Sequence, residues 1–229
     1  MLDNKKPFLH TVNFNRRPFK FSGTQKKFLD LALGDSAKVI FLSGPAGSAK
    51  TYLSVYAALK LLTTEQVDEL LYVRTIAESG DKSLGALPGD VAEKFDPFLM
   101  PLYDKLEEIV STENISYIKE FLKAIPINYL RGANLQNKVV VADESQNFSY
   151  KELVTLITRI GNNTKYFICG DPMQSDINGK SGFQKLYNKF DTEESRDNGI
   201  YCFSFQQSDI FRSEILKYII NVLMENSDL

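Results

Sequence analysis

Short apolar runs alternate with longer amphipathic segments along most of the 229-residue chain. Several of the short runs are apolar throughout, a pattern typical of strands that are covered on both faces of a sheet. We predict strands over residues 38–42, 70–74, 127–130, 138–142, 165–169 and 200–205. The amphipathic segments predict helices over residues 25–33, 50–62, 92–109, 115–124, 150–160 and 209–224.

This alternation of strand and helix predicts an α/β domain with three layers. Strands separated by helices pair in parallel, and their crossovers are right-handed, so the sheet should be mainly parallel. Ligands of such sheets bind beyond the carboxyl ends of the strands. The residues that directly follow each strand are therefore the candidates for a functional site.

Composition narrows the class of protein. Residues of hydrophobic type make up 43% of the chain, enough for one core at this length, and we expect a single domain over residues 22–229 preceded by an arm, residues 1–21. No apolar run is long enough to cross a membrane, and the first residues lack a signal-peptide core, so a cytoplasmic protein is expected. Two cysteines and one histidine disfavour a disulfide framework, a histidine-rich metal site or a histidine-centred triad.

The N-terminal arm is strongly basic. Residues 1–27 hold seven Lys and Arg against Asp3, a net charge of +6, and the rest of the chain therefore carries −8. Four phenylalanines, Phe8, Phe14, Phe19 and Phe21, lie among these charges. Such a segment can neutralise phosphates and stack on bases, or its rings can dock on the domain while its charges stay in water.

A glycine-containing loop follows the first predicted strand and precedes a helix. It nearly matches the phosphate-binding pattern G-x-x-x-x-G-K-[ST], in which backbone N–H groups and the helix N-terminus form an anion cradle. The lysine would neutralise β- and γ-phosphates, and the threonine hydroxyl would contact Mg²⁺. A plain Gly-Pro turn is the structural alternative. The loop comprises Gly44, Pro45, Ala46, Gly47, Ser48, Ala49, Lys50 and Thr51.

Ala49 departs from this pattern, because the second fixed glycine belongs at its position. If the backbone there has a positive φ, alanine costs about 1 kcal/mol or more. If φ is helical, alanine costs nothing.

Two carboxylates end the apolar run at residues 138–142. In a phosphate-loop enzyme, Asp143 would hold Mg²⁺ and Glu144 would act as the general base for the attacking water. Helix capping is the alternative for either residue. Gln146 and Gln174 follow two successive strand ends, where a glutamine could sense the γ-phosphate, although Gln174 could also be a solvated turn residue.

Together these residues resemble the PhoH-like family of phosphate-starvation-inducible ATPases, which are related to superfamily 1 helicase cores. The resemblance spans about residues 22–225, and its most specific part is LGALPGD at 84–90 with DPF at 96–98. It also rests on residues 44–51, 73–75, 129–132, 143–146, 158–161, 170–174, 181–183 and 209–213.

The resemblance implies a RecA-like sheet, hydrolysis of ATP with Mg²⁺ and a role with single-stranded RNA or DNA, including RNA helicase activity. Gln25 matches the glutamine with which related helicases read adenine, unless it is an exposed helix residue. Arg212 matches an arginine that approaches the γ-phosphate, unless it is an exposed cation paired with Asp209 or Glu214. Ala49 and Ser145 replace the glycine and alanine usual in the family, which puts the turnover rate in question.

One RecA-like domain lacks the second domain that completes a superfamily 1 ATP site. We therefore expect a homo-oligomer, such as a hexameric ring, in which a neighbour supplies the arginine. Arg212 is the first candidate, then Arg159 and Arg131, whereas Arg74 is expected on the nucleic-acid or interface side. Lys82 and Lys94, in the segment 77–101, could contact a phosphate backbone weakly among neighbouring acidic residues.

Two other functions compete with an RNA-associated ATPase. The first is a nucleotide-dependent assembly module that hydrolyses little or no ATP because Ala49 perturbs the loop. The second is a small-molecule kinase, which is disfavoured because the sequence has no arginine-rich lid.

Overall fold

The computed structural model describes residues 9–15, 20–75, 91–130, 132–177 and 180–210, together with Ile215, Tyr218, Ile219 and Val222. For residues 91–99 it describes the helical backbone only.

A six-stranded parallel sheet forms the centre of the molecule. Its strands lie in the order β3-β2-β4-β5-β1-β6, and each neighbouring pair is parallel. This confirms the predicted α/β class, and the architecture is RecA-like. The strands are β1 (Val39–Ser43), β2 (Glu69–Arg74), β3 (Leu122–Pro126), β4 (Lys138–Ala142), β5 (Lys165–Gly170) and β6 (Ile200–Ser204).

Helices cover both faces of the sheet, and the sheet separates two apolar clusters. One cluster lies between the sheet and α1, α2, α3 and α4, and the other lies between the sheet and α5 and α6. The helices are α1 (Gly23–Leu33), α2 (Lys50–Thr63), α3 (Val91–Ile109), α4 (Thr112–Ile118), α5 (Tyr150–Ile157), α6 (Phe183–Phe190) and α7 (Glu193–Asp197). Among the described residues, no helix is both long and apolar enough to cross a membrane.

Helix α2 is the central helix of its layer, and eleven of its fourteen residues are buried. The described part of the N-terminal segment packs against it. The Phe14 ring meets Tyr56 edge-on at 5.3 Å, and the Lys60 ammonium lies 3.6 Å from the centre of the Phe14 ring. Phe21 is also buried, next to Tyr52 and Tyr56. Both rings are therefore docked on the domain and not free for base stacking, whereas Phe8 and Phe19 lie outside the described residues.

The strand predicted at residues 127–130 is wrong. The strand lies just before this segment, as β3, and Ile127–Leu130 is a short 3-10 helix that follows it.

The helix predicted over residues 115–124 is wrong in its second half. The apolar spacing of these residues fits a helix, but the helix ends early. In the structure α4 ends at Ile118, and the next residues form a 3-10 helix and then pair with the edge of β2. Pro126 is compatible with this position because an edge strand can end without a further ladder N–H.

Two helices, α6 and α7, were not predicted. In α6 the buried residues Phe183 and Leu186 and the partly buried Tyr187 and Phe190 recur with helical spacing, so the signal was present in the sequence. The helix predicted over residues 209–224 starts later, because Asp209 ends a 3-10 helix, Gln207–Asp209. After it, Ile210 is not helical, and the next four described residues are helical: Ile215, Tyr218, Ile219 and Val222.

The strand register brings the chemically interesting loops to one edge. Ser43 of β1 pairs with Gly170 of β5 and with Ser204 of β6. On the other side of β5, Ala142 of β4 pairs with Ile168 and with Val73 of β2. The residues that follow β1, β2, β4 and β5 therefore meet at the carboxyl edge of the sheet.

Candidate functional site

An open cleft of about 470 Å³ lies at this carboxyl edge. Its volume lies within the range usual for ligand sites. The cleft brings together nine of the residues predicted from the sequence: Ala46, Gly47, Ala49, Lys50, Thr51, Asp143, Glu144, Gln146 and Gln174. Further lining residues include Arg74, Asp104, Lys105, Glu108 and Asp171.

The loop between β1 and α2 has the curved backbone expected of a phosphate cradle. A Cβ at Gly44 would lie 2.9 Å from the Cβ of Phe205, so only glycine permits this approach to the residue after β6. The buried Ser48 hydroxyl donates to the Pro45 carbonyl over 2.7 Å and closes the loop. Gly44, Pro45 and Ser48 thus shape the loop and do not line the cleft.

Ala49 adopts the left-handed conformation, with φ 67° and ψ 25°. This is the costly outcome foreseen for an alanine in the position of the second glycine. An L-residue in this region is less stable than glycine by roughly 1 kcal/mol, because its Cβ approaches the following carbonyl. The loop therefore keeps the backbone conformation that favours glycine although alanine occupies the position, and the backbone at Ala49 is strained.

The Lys50 ammonium turns back onto its own loop. It donates to the Gly44 carbonyl over 2.6 Å and to the Pro45 carbonyl over 3.0 Å. Burial lowers the pKa of Lys50, and nearby carboxylates, Asp171 foremost, act in the opposite direction. Two carbonyls of the loop are thus the hydrogen-bond acceptors of the ammonium in this structure.

Asp143 is buried at the end of β4, and both of its carboxylate oxygens accept hydrogen bonds. The Thr51 hydroxyl donates to Oδ1 over 2.8 Å, and the Tyr72 hydroxyl donates to Oδ2 over 2.6 Å. Burial raises the pKa of Tyr72, and the charge of Asp143 raises it further. Tyr72 was missed from the sequence because it lies inside an apolar strand, where a tyrosine usually signals only packing.

Glu144 lies at the open side of the cleft with a left-handed backbone, φ 52° and ψ 39°. Its carboxylate accepts a hydrogen bond from the Gln146 amide over 2.6 Å and lies 3.9 Å from the Arg74 guanidinium. Its side chain is 44% exposed, so water can reach it. Backbone strain of this kind is frequent at functional sites.

Gln146 connects the ends of β4 and β5. Its amide oxygen accepts the Asp171 N–H over 3.0 Å while its amide nitrogen holds Glu144. Gln174 ends the 3-10 helix Pro172–Gln174 and is exposed at the rim of the cleft. Of the two glutamines, Gln146 has the contacts that could transmit a change at the cleft.

Gln25 is fully buried, so the alternative of an exposed helix residue is wrong. Its amide oxygen accepts the Ser22 N–H and completes the cap of α1. Its amide nitrogen donates to the Ser48 carbonyl over 3.2 Å and to the Asp209 carbonyl over 3.0 Å. To read adenine, this side chain would first have to release one of these contacts.

The four arginines considered from the sequence differ in their position relative to the cleft. Arg74, expected on the nucleic-acid or interface side, lines the cleft beside Glu144 because it ends β2 at the carboxyl edge. Arg159 does not line the cleft. Its carbonyl accepts the Leu135 N–H. Arg131 and Arg212 lie outside the described residues, as do residues 76–90, including Lys82. The side chain of Lys94 is likewise not described.

The donor set suits a hard cation. Thr51 and Asp143 present adjacent oxygen atoms, and Mg²⁺ is held in proteins by one or two such ligands together with water and substrate phosphates. The charge of the cleft also favours a bound cation, because five acidic residues and three basic residues line it. A polyphosphate entering this cleft needs a counter-cation as well as Lys50. The residues present therefore fit a bound magnesium ion.

Comparison with known proteins agrees with this geometry. The family model described as "PhoH-like protein" matches residues 20–224, nearly the whole chain. The chain belongs to the PhoH-like family. Membership makes it a P-loop protein of ATPase-like type.

Curated relatives in the PhoH-like family come from diverse bacteria. A PhoH-like protein of Synechocystis sp. is 36% identical over 186 residues, which cover 80% of this chain and 55% of that protein. One from Mycobacterium leprae is 33% identical, with coverage of 88% and 57%. Protein PhoH of Escherichia coli K12 is 32% identical, with coverage of 70% and 47%. The chain spans about half the length of these relatives.

Replacement of Ala49 by glycine should relieve the left-handed strain. We expect the Ala49→Gly variant to be more stable by about 0.5–1 kcal/mol, which raises the melting temperature by about 1–4 °C in a domain of this size. Thermal unfolding followed by circular dichroism measures this shift. Ala46→Gly is the matched control, because Ala46 has a negative φ and glycine there should give no gain. Equal behaviour of the two variants would contradict the assigned strain.

Proposed function

We propose that this protein is a Mg²⁺-dependent ATPase that acts with single-stranded RNA as a homo-oligomer. The observation that carries the proposal is the bond between the Thr51 hydroxyl and Asp143, with Lys50 and Glu144 lining the same cleft. A phosphate-binding lysine, a pair of hard oxygen ligands and a solvent-accessible carboxylate are the parts that phosphoryl transfer to water requires.

Each residue has one task in this reaction. Lys50 leaves the loop carbonyls and neutralises the β- and γ-phosphates, which the N-terminus of α2 also attracts. Asp143 and Thr51 would hold Mg²⁺, and the ion would supply positive charge that offsets the charge of the phosphates. Glu144 orients a water molecule toward the γ-phosphorus and accepts its proton as the bond to the β-phosphate oxygen breaks. ADP and phosphate are the products.

Gln146 supports a role in signalling the state of the nucleotide. Its amide joins Glu144 to the backbone of Asp171, three residues before Gln174. When Glu144 turns toward the attacking water, the Gln146 amide is free to follow the γ-phosphate. Release of the Asp171 N–H would then change the 3-10 turn that carries Gln174 at the rim of the cleft.

Loss of the Glu144 carboxylate should stop hydrolysis while leaving nucleotide binding intact. We expect Glu144→Gln to lower kcat by about 100-fold or more, the usual contribution of a general base. Steady-state phosphate release measures the rate, and binding of a fluorescent ATP analogue measures the affinity. Glu193→Gln, an exposed change in α7, should leave both unchanged.

The same experiment separates the ATPase from a nucleotide-dependent assembly module. That second function is favoured by the strained Ala49 and by the bonding of Lys50 to its own loop, both of which could slow turnover. Equal rates for the wild type and Glu144→Gln would remove hydrolysis as the function. ATP-dependent assembly without turnover would then identify the module.

Single-stranded RNA is proposed as the polymer from two features. The N-terminal segment is basic, and an exposed aromatic ring, Tyr129, follows β3 at the carboxyl edge of the sheet. Exposed rings are platforms on which unpaired bases stack. The docked Phe14 and Phe21 cannot serve this purpose, which leaves Tyr129 as the best-placed described ring.

RNA should therefore stimulate the ATPase, and removal of the Tyr129 ring should weaken the effect. We expect Tyr129→Ala to raise the RNA concentration for half-maximal stimulation at least about fivefold, since one stacked base is worth about 1–3 kcal/mol. Tyr117→Ala is the control, because Tyr117 is similarly exposed but lies on α4, ahead of β3. Stimulation by DNA alone, or by neither polymer, would contradict the RNA assignment.

An oligomer is proposed because the cleft has one arginine among the described residues, Arg74, and that arginine is paired with Glu144. The charge that develops on the γ-phosphate is usually offset by a further arginine, often from a neighbour. We assign this part to Arg212, in the C-terminal segment, acting on the cleft of the next subunit.

Mixing of two inactive variants tests this arrangement. We expect Arg212→Ala and Lys50→Ala subunits to be inactive separately and to regain ATPase activity when they assemble together. Mixed interfaces then combine an intact cleft with an intact arginine. Phosphate release measures the recovery, and native mass spectrometry shows whether mixed oligomers form. Mixed oligomers without recovery would disprove action in trans, and a monomeric wild type would disprove the oligomer.

A further inference from the structure

The buried hydroxyl of Tyr72 contacts the proposed magnesium ligand from the side opposite Thr51. It donates to Asp143 Oδ2 over 2.6 Å, while Oδ1 accepts the Thr51 hydroxyl over 2.8 Å. Tyr72 is fully buried, and Asp143 is 5% exposed. One carboxylate is thus held between two hydroxyl donors, one facing the cleft and the other inside the core.

Strand β2 fixes this aspartate through both its backbone and its side chain. Tyr72 pairs with Val141 of β4, and the Asp143 N–H donates to the Val73 carbonyl over 2.9 Å. Two consecutive residues of β2 therefore hold Asp143, one through its side chain and one through its carbonyl. The carboxylate has little freedom to rotate while both contacts persist.

Removal of the Tyr72 hydroxyl would leave a buried carboxylate oxygen without its donor. An unsatisfied buried acceptor costs more than the hydrogen bond it has lost, and the cost is greater for a charged group. The carboxylate can recover a partner only by rotating, which takes Oδ1 out of line with Thr51. The ligand pair in the cleft would then lose its arrangement, although neither ligand had been changed.

We propose that Tyr72 is a positioning residue that orients Asp143 for Mg²⁺ and thereby sets how strongly Mg²⁺ tightens nucleotide binding. The inference rests on the proposed function, since it assigns a metal to Asp143. Tyr72 acts only through Asp143 and touches neither nucleotide nor metal. Partners of this kind, one step behind a ligand, typically change metal affinity 10- to 100-fold.

The test compares nucleotide affinity with and without the metal. The dissociation constant of a fluorescent ADP analogue is measured in excess Mg²⁺ and in EDTA, and the ratio of the two is the readout. We expect Tyr72→Phe to reduce the tightening by Mg²⁺ about 10-fold and to leave the affinity in EDTA unchanged. A purely structural role would lower the melting temperature without changing this ratio.

Tyr166→Phe is the matched control. Tyr166 is an equally buried tyrosine on β5, it belongs to the apolar cluster on the other face of the sheet, and its hydroxyl has no hydrogen-bond partner within the described part of the chain. Both variants lose one buried oxygen atom and keep the ring. Tyr166→Phe should leave the Mg²⁺ effect unchanged.

A second background shows whether Tyr72 acts through Asp143. In Asp143→Asn the Mg²⁺ effect should be largely lost, and addition of Tyr72→Phe should reduce it no further. An unchanged Mg²⁺ effect in folded Tyr72→Phe would overturn the inference, as would an equal further loss in the Asp143→Asn background. A wild type that binds no nucleotide would instead overturn the proposed function.

Discussion

The hydrogen bond between Thr51 and Asp143 is the interaction on which the cleft depends. It joins residues 92 positions apart and crosses over β5, which lies between β1 and β4 in the sheet. Because all six strands are parallel, the loops after β1 and β4 emerge at the same edge, and one short bond can join them. The phosphate loop and the acidic strand end are thereby held as one unit.

Further contacts surround the joined phosphate loop and strand end on two sides, one facing the cleft and the other facing the core. On the cleft side, the partly exposed Glu144 contacts both Arg74 and the buried Gln146, whose amide oxygen also accepts the Asp171 N–H. Toward the core, the contacts are fixed, because Tyr72 and the buried Ser54, which pairs with the Cys169 sulfur at 3.0 Å, have no access to water. Burial raises the pKa of Cys169 to about 12, so the thiol stays neutral beneath the loop.

The hydrophobic pattern of the sequence predicted an element correctly where burial alone determined whether it is a helix or a strand. The helix after Lys50 and the strand before Asp143 lie where the apolar runs placed them, because buried elements show their period directly. The pattern failed at β3, where pairing with β2 overrode the helical spacing of residues 115–124. It also failed for side chains whose role depends on a neighbour distant in sequence. The neighbouring sequence does not distinguish Tyr72 from Tyr166. Only in the folded sheet does the Tyr72 hydroxyl meet a carboxylate, that of Asp143, whereas the Tyr166 hydroxyl has no hydrogen-bond partner among the described residues.

The buried amide of Gln25 has a mechanical consequence. One nitrogen atom holds the carbonyls of Ser48 and Asp209, so the phosphate loop and the start of the C-terminal segment share a single anchor. Asp209 is in turn tied to Ser22 through its side chain. A movement of the loop at Ser48 would therefore act directly on the Asp209 carbonyl, and through the Asp209 side chain on Ser22, without deformation of the sheet.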